Sequence, residues 1–469
     1  MKINSPLEVY QYLPQTNCKE CGEPTCMAFA SHLIDRSIKL EDCKPILEDA
    51  YKEKYQELNE LMAPEIAEVT IGVGEHVVTV GGDDVMYRHQ LTFFNPPAFA
   101  LDVWDTMSQS DLIERVTYIR DFKKFYVGRF LTLDMIAIRS VSGDPDTFKQ
   151  AVTLVMEHTQ LPLVLCSLDP AVLQAGLEVA AEKKPLLYAA TKDNWQGVYD
   201  LAIEYNVPVV LFAPDDLDTL KSLAVTFLEN GYKDLILDPG TNPQGRSLRD
   251  SFENFLMIRR AGIKEGQNDV AFPLMAVPMT AYMTNDDPVS ASYWETVLCG
   301  VFTVRYGDIM ILHSIEPYAL LPEMHIRDTV YTDPRTPVKV DSRVYKVGSP
   351  DKDSPVFVTT NFALTFYTVE SDLASNEINC HLLAVDTDGL GVEAAVAGGQ
   401  LNGKNIADDF KKGNFDFSNK TNHNTVIIPG LAARLQGDLE DNSGLNVMVG
   451  PPDSGRIPGW MEKNWPVEG

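Results

Sequence analysis

Eight short apolar runs between residues 98 and 314 constrain this 469-residue chain more than any other feature. They read "AFALDVW", "MIAIRS", "PLVLCS", "PLLYAA", "VPVVLFA", "DLILDP", "PLMAVP" and "IMILHS", starting at 98, 135, 162, 185, 207, 234, 273 and 309. A stretch of helical periodicity follows each. Apolar residues are continuous within the runs, as strands buried on both faces of a parallel sheet require. Eight such units predict a (β/α)8 TIM barrel, with a doubly wound open sheet as the alternative. Barrel enzymes do their chemistry at the carboxyl ends of the strands. The polar residues there are Asp105, Arg139, Asp169, Asp238 and Ser314. No two of them form a recognisable acid–base or nucleophile–base pair. The barrel is therefore expected to be a scaffold, with an enzyme working through its own strand ends as the alternative.

A chain this long exceeds one ordinary core, so two or three domains are expected. Its 39 basic and 67 acidic residues give a net charge of −28 with no compensating basic run. Such a surface repels nucleic acid and anionic membranes, and neither is expected as a partner. The start "MKINSPLEVYQYLPQ" lacks the apolar core of a signal peptide, and no run of about 18 apolar residues could span a bilayer. The expected compartment is the cytoplasm, where thiols stay reduced.

In that setting "NCKECGEPTC" is informative, because it crowds Cys18, Cys21 and Cys26 together in a chain with seven cysteines. Cys43 completes a C-x2-C-x4-C-x16-C pattern. Gly22 and Pro24 bend the chain between thiols, "MAFASHLIDRSI" reads as a short helix, and Pro45 follows the last cysteine. Four thiolates suit zinc or an iron–sulfur cluster. The second C-x2-C knuckle usual for structural zinc is absent, and the spacing is closer to [4Fe–4S] usage. Cys166, Cys299 and Cys380 sit in apolar runs and read as small core residues.

A charged helical segment, "LEDAYKEKYQELNELM", and a hairpin, "VTIGVGEHVVTVGG", precede the barrel. Composition shifts near 328, and "DTVYTDPRTPVKVDSRVYKVGSPDKDSP" reads as a linker over 328–354. Beyond it, "PVFVTTNFALTF", "HLLAVDTDGLGVEAAVAGG", "TVIIPGLAARLQG" and "LNVMVGPPDSG" each run from strand into a glycine- or proline-rich turn. Strand, small-residue turn and helix bring backbone N–H groups towards a ligand. The sharpest, "DTDGLG", lacks G-x-G-x-x-G, and Asp388 would repel a pyrophosphate. A bulky uncharged or cationic cofactor fits better; a purely structural α/β domain is the alternative.

The cysteine pattern together with "SPVFVTTNF", "LLAVDTDGLGV" and "VIIPGLAARLQGDLE" resembles the large subunit of the corrinoid iron–sulfur protein, the gamma subunit of the archaeal acetyl-CoA decarbonylase/synthase complex. The resemblance spans essentially the whole chain. It implies an α/β protein of three parts: a small [4Fe–4S] domain over 1–60, the TIM barrel over 61–327, and a Rossmann-like α/β corrinoid-binding domain over 328–469. It implies a methyltransferase component whose corrinoid cobalt takes a methyl group from a methyl-tetrahydropterin and exchanges it with the nickel site of acetyl-CoA synthase. The implied partners are a small corrinoid iron–sulfur protein subunit in a heterodimer, the acetyl-CoA synthase subunit, and the methyl-tetrahydropterin or its methyltransferase. Cys18, Cys21, Cys26 and Cys43 would hold a cluster that reactivates oxidised cobalt. Thr359, Thr360, Asn361, Thr387, Asp388, Gly389, Leu390, Pro429, Gly430 and Gly450 would contact the corrinoid. Segments 328–354 and 50–66 are the expected hinges. The alternative is an electron-transfer iron–sulfur protein without corrinoid.

Many corrinoid carriers ligate cobalt through the histidine of a D-x-H-x-x-G motif. None of His32, His76, His89, His158, His313, His325, His381 and His423 stands in that context. A cobalt without that ligand is easier to reduce, which suits a low-potential cluster as electron donor.

Overall fold

The computed structural model describes residues 3, 5–87, 89–90, 93–331 and 337–466. The chain divides into two compact units, Met1–Phe122 with Thr132–Thr332, and Lys123–Leu131 with Asp333–Gly469.

The first unit begins with helices α1 (Pro6–Tyr12), α2 (Cys26–Ile34) and α3 (Lys52–Met62). Three short 3-10 turns, Leu40–Asp42, Lys44–Leu47 and Asp49–Tyr51, lie between α2 and α3. Their small core gathers Val9, Leu13, Phe29, Leu33, Ile46 and Leu58, with Cys26 and Cys43 packed into it. Arg36 ties this part to the chain after the following hairpin, pairing with Asp84 at 2.6 Å and donating to the Gly82 carbonyl at 2.7 Å. That hairpin is β1 (Glu68–Val73) and β2 (His76–Gly81), antiparallel, turning at Gly74.

The barrel strands follow. After β3 (Ala98–Trp104) comes a hairpin that belongs to the second unit, β4 (Lys123–Tyr126) and β5 (Arg129–Thr132). Its turn puts Val127 and Gly128 at φ 43° and 82°, the left-handed conformations of a tight two-residue connection. Then come β6 (Met135–Arg139), β7 (Leu163–Cys166), β8 (Leu186–Ala190), β9 (Val209–Phe212), β10 (Leu235–Asp238), β11 (Met275–Ala276) and β12 (Ile309–Leu312). All eight barrel strands expected from sequence are present and parallel, in the order β10-β9-β8-β7-β6-β3-β12-β11. A parallel bridge between Leu237 and Leu274 brings the two ends of that order together, so the ring is nearly closed. A helix follows each strand. Asp144, Asp169 and Asp287 each precede a proline and cap their helices by accepting from the N–H groups of Thr147, Ala171 and Ser290.

Side chains alternate along a strand. The barrel interior is therefore filled by every second residue: Ala98 and Ala100, Met135 and Ala137, Ile309 and Ile311, and their counterparts. The same alternation turns Asp102, Arg139 and His313 inward at the next level up.

The second unit holds β13 (Arg343–Val347), β14 (Val356–Thr360), β15 (Cys380–Val385), β16 (Thr425–Ile428) and β17 (Asn446–Val449). The sheet order is β13-β15-β14-β16-β17, with β13 antiparallel at the edge and the other pairings parallel. The parallel strands thus run second, first, third, fourth, and the direction of winding reverses between β14 and β16. Hydrophobic clusters cover both faces of this sheet.

Two elements were absent from the sequence reading, and a third stretch was read as a linker. The hairpin β4–β5 is built from "KKFYVGRFLT", whose charges mask the strand signal. In place of a linker over 328–354, a helix, Pro317–Tyr331, runs through its start and β13 through its middle; residues 332–336 lie outside the described residues. β13 reads R-V-Y-K-V: Val344 packs on one face of the sheet and Tyr345 and Val347 on the other, while Arg343 and Lys346 stay exposed at the edge.

Candidate functional site

The loop before α2 is wound by left-handed residues, with Gln15, Asn17, Lys19 and Gly22 at φ 59°, 48°, 67° and 85°. This winding folds the chain back on itself, so that Cys18, Cys21, Cys26 and Cys43 line one small pocket with Leu13, Phe29 and Pro45. All four thiols are free; Cys18 is exposed, Cys21 half-buried, and Cys26 and Cys43 buried. Asn17 clasps Cys26 twice: its backbone N–H donates to Sγ at 3.4 Å, and its Oδ1 accepts from the Cys26 N–H at 2.8 Å. Cys26 is also the first residue of α2, whose N-cap Thr25 accepts from the Ala28 N–H. Burial pushes the Cys43 thiol up, and the other three thiols push in the same direction. A bound cation would reverse that penalty. Among the described residues, no three His, Cys, Asp or Glu side chains converge tightly enough for a single metal ion. The donor set is four sulfurs around an apolar pocket.

In the second unit a crevice of about 520 Å³ opens outside the carboxyl ends of β14, β16 and β17. This is where the winding reverses, the usual ligand position in open α/β sheets. Its walls are mainly carbon, from Val358, Val392, Ile428, Pro429 and Leu431, with the hydroxyls of Thr359, Thr365 and Thr368 among them. Leu364 and Leu431 remain 52% and 49% exposed at its lips. The floor is stitched by Gly430 N–H donating to the Pro451 carbonyl and Gly450 N–H to the Ile428 carbonyl, both 2.9 Å. A Cβ on Gly430 would lie 2.6 Å from the Pro452 nitrogen, so only glycine lets the two loops approach.

Of the ten residues expected to contact a corrinoid, Thr359, Pro429 and Gly450 line this crevice and Gly430 lies against its floor. Thr360, Asn361, Thr387, Asp388, Gly389 and Leu390 do not line it. Asn361 instead brackets the 386–390 turn: its Oδ1 accepts from the N–H groups of Thr387 and Gly389 and from the Thr387 hydroxyl. Asp388 projects into solvent, and Gly389 is glycine because a Cβ would meet Pro337 at 2.9 Å. The hydroxyls of Thr359 and Thr360 are buried without partners. Leu364, Thr365, Thr368 and Leu431 were not foreseen; polar-after-strand reasoning passes over residues inside helices and beyond the turn.

The barrel's strand ends also sort into brackets and a site. Asp105 accepts from the Val141 and Ser142 N–H groups, Asp169 caps a helix, and the Ser314 hydroxyl pairs with Ser292 at 2.7 Å. Asp238 and Arg139 point inward, where Asp238 accepts from the Tyr188 hydroxyl at 2.9 Å. The acid–base pair not found among strand-end residues is present. Asp102, one turn of the pleat below the end of β3, accepts from His313 Nδ1 at 2.8 Å. Arg115 and Arg139 hold the same carboxylate at 2.9 and 2.8 Å. Burial alone would raise the Asp102 pKa; His313 and the two guanidinium groups outweigh it and hold the carboxyl below its usual range.

Residues 68–461 match the family model described as CO dehydrogenase/acetyl-CoA synthase delta subunit, and residues 13–45 match one described as "Putative Fe-S cluster". The chain is 66% identical to acetyl-CoA decarbonylase/synthase complex subunit gamma 1 of Methanosarcina thermophila, over 99% of this chain and 100% of that one. The subunit gamma of Archaeoglobus fulgidus is 51% identical over 99% of both chains, and that of Methanothermobacter thermautotrophicus 41% identical over 97% and 98%. With the four-thiol pocket, the barrel and the α/β crevice in one polypeptide, the chain belongs to the CO dehydrogenase/acetyl-CoA synthase delta subunit family, among the gamma subunits of the acetyl-CoA decarbonylase/synthase complex.

Proposed function

We propose that this subunit is the corrinoid methyl carrier of its complex, working in the cytoplasm on methyl groups of a methyl-tetrahydropterin and passing them to the nickel site of the acetyl-CoA synthase subunit. The observation that carries this reading is the crevice at the reversal of the parallel sheet, wide, mainly apolar and edged by glycines and threonines. A corrinoid is a bulky macrocycle with amide side arms, and it needs carbon surface for its face and hydroxyl or N–H groups for its arms. Thr359, with an unpartnered buried hydroxyl, and Thr365 and Thr368 on one helix face supply the second kind of contact. Leu364 and Leu431 supply the first, and their exposure leaves a rim for the small corrinoid iron–sulfur protein subunit to close. No histidine is among the crevice-lining residues. When bound, the cobalt of the corrinoid supplies a nucleophile that accepts the methyl group and a leaving group that gives it up.

The four thiols are the ligands of a [4Fe–4S] cluster in this reading. The cluster supplies single electrons at a potential tuned by its N–H···S bonds and its exposure. Asn17 sets one such bond, on Cys26. The same staple completes an N-terminal segment whose own buried side chains are few. In this reading the chain has three parts: a cluster domain over 1–60, the barrel over 61–327 and a corrinoid domain over 328–469.

Anaerobic purification with the small subunit, followed by metal analysis and a visible spectrum, tests the proposal. About four irons and one cobalt per chain pair are expected. Iron without cobalt would leave only an electron-transfer protein. Replacing Leu364 and Leu431 together by Arg is expected to abolish cobalt retention and leave the iron unchanged; cobalt retained at full level would move the corrinoid elsewhere.

A further inference from the structure

The interior of the barrel changes character at one level. Below it the inward residues are all apolar, Ala98, Ala100, Met135, Val164, Ile236 and Ile309 among them. At the carboxyl end the next inward residue of each of six strands is Asp102, Arg139, Cys166, Tyr188, Asp238 or His313. Asp102 and Asp238 are fully buried, and the other four are half-buried. A barrel that is only a scaffold closes this layer with branched aliphatic side chains. Burying carboxylates and a guanidinium there costs free energy that a structural plug has no reason to spend.

Asp102 itself is met by more donors than its pairing needs. One guanidinium neutralises one carboxylate, yet Asp102 faces three cationic or potentially cationic groups. Arg115 Nη2 and His313 Nδ1 share Oδ1, at 2.9 and 2.8 Å, while Arg139 sets both Nε and Nη2 on Oδ2 at 2.8 Å. Arg115 is used up further, donating through Nε to the Asp102 carbonyl. Arg139 and His313 are not, and their side chains remain 32% and 27% exposed. Asp102 engages the Nδ1 edge of the imidazole, which turns the Nε2 edge to the opposite side of the ring. Trp104 and Tyr282 flank the ring at 5.7 and 4.5 Å and limit its rotation. Glu295 fixes the backbone beneath, accepting from the His313 and Ser314 N–H groups at 2.6 and 2.8 Å.

We propose that this mouth is a second ligand site, which takes a small carboxylate- or phosphate-bearing molecule on Arg139, beside the Nε2 edge of His313. It is independent of the crevice in the α/β unit and of the reading given to that crevice. Arg139 presents its remaining N–H groups to the anion oxygens, and the Nε2 edge of His313 faces the same anion. The charged or titratable groups facing His313 are Asp102, Arg115 and Arg139 from the neighbouring strands and helix, Glu295 from the helix beneath, and Tyr282.

The test is carbon-13 magnetic resonance of the full chain, with its cluster oxidised and its small partner subunit bound, labelled at the Cε1 atoms of its eight histidines. The signal lost in His313→Gln identifies the residue. Acetate and inorganic phosphate are titrated separately, with chloride as the ionic-strength control. The expected result is a saturable shift of the His313 signal with acetate, phosphate or both, and binding weakened about tenfold or more in Arg139→Gln. Response to acetate alone or to phosphate alone names the ligand class. A His313 signal that neither anion moves overturns the proposal, and so does equal binding by an Arg139→Gln chain with wild-type unfolding behaviour. The wild-type titration stands on its own if that variant does not fold.

Discussion

The side-chain oxygen of Asn361 accepts from both the N–H and the hydroxyl of Thr387, each at 3.1 Å. A third bond from Gly389 N–H and one from Asn361 Nδ2 to Asp386 complete the bracket. Asn361→Ala takes this acceptor from the buried N–H groups of Thr387 and Gly389, while the Thr387 hydroxyl keeps the Leu390 carbonyl at 2.9 Å, a loss of about 1–3 kcal/mol. The unfolding midpoint of the chain should fall accordingly, and hydrogen exchange at 387–389 should quicken first. Unchanged exchange there would mean the turn is held by something else.

Thr359 behaves oppositely. Its hydroxyl is buried and unpartnered while its side chain lines the crevice. Thr359→Val keeps the shape and removes an orphaned polar group, so the corrinoid-free chain should be as stable as wild type or slightly more so. Cobalt retention should fall by about fivefold if the hydroxyl bonds to the ligand, about 1 kcal/mol. Unaltered retention would remove Thr359 from the contact set.

Both residues looked alike in sequence, as polar positions at the end of a strand. Chain order does not say whether such a group turns to its own loop or to a ligand; the bracket partners of Asn361 lie 26 and 28 positions away. The barrel was legible because continuous apolar runs, each followed by helical periodicity, are local signals. The cysteine cluster was legible because its spacing is itself the information. The Asp102–His313 pair was not, being 211 positions apart, with Asp102 inside an apolar run where it reads as an interruption. Only the parity of β3 and β12 in the closed ring turns both inward.

Cys21 lines the thiol pocket from a half-buried position. Cys21→Ala should lower the iron content and slow reductive reactivation of oxidised cobalt. Methyl transfer by chemically pre-reduced protein should stay close to wild type, because the crevice is built from another unit of the chain. Equal loss of both activities would contradict a purely reductive role for the cluster.

Glu295 makes a pH prediction whose sign is fixed by its burial. Burial pushes its carboxyl up to about 8, against the pull of the Ser314 and His313 N–H groups, from an ordinary value of about 4.3 in the unfolded chain. The folded state thus holds the proton more tightly. The stability this group contributes is fully present below about pH 4 and is lost as pH rises through about 8, at up to about 1.4 kcal/mol per pH unit between. Asp238, pushed up to about 7 by burial, acts with the same sign over a narrower window. Glu295→Gln fixes the neutral form in place and keeps an acceptor for the His313 or Ser314 N–H group. Urea midpoints measured between about pH 5.5 and 8 should decline for the wild type and decline less for the variant, the remaining slope coming from Asp238 and other buried carboxyls. Parallel profiles would show that Glu295 is ionised in the folded barrel, its charge compensated by those two N–H groups.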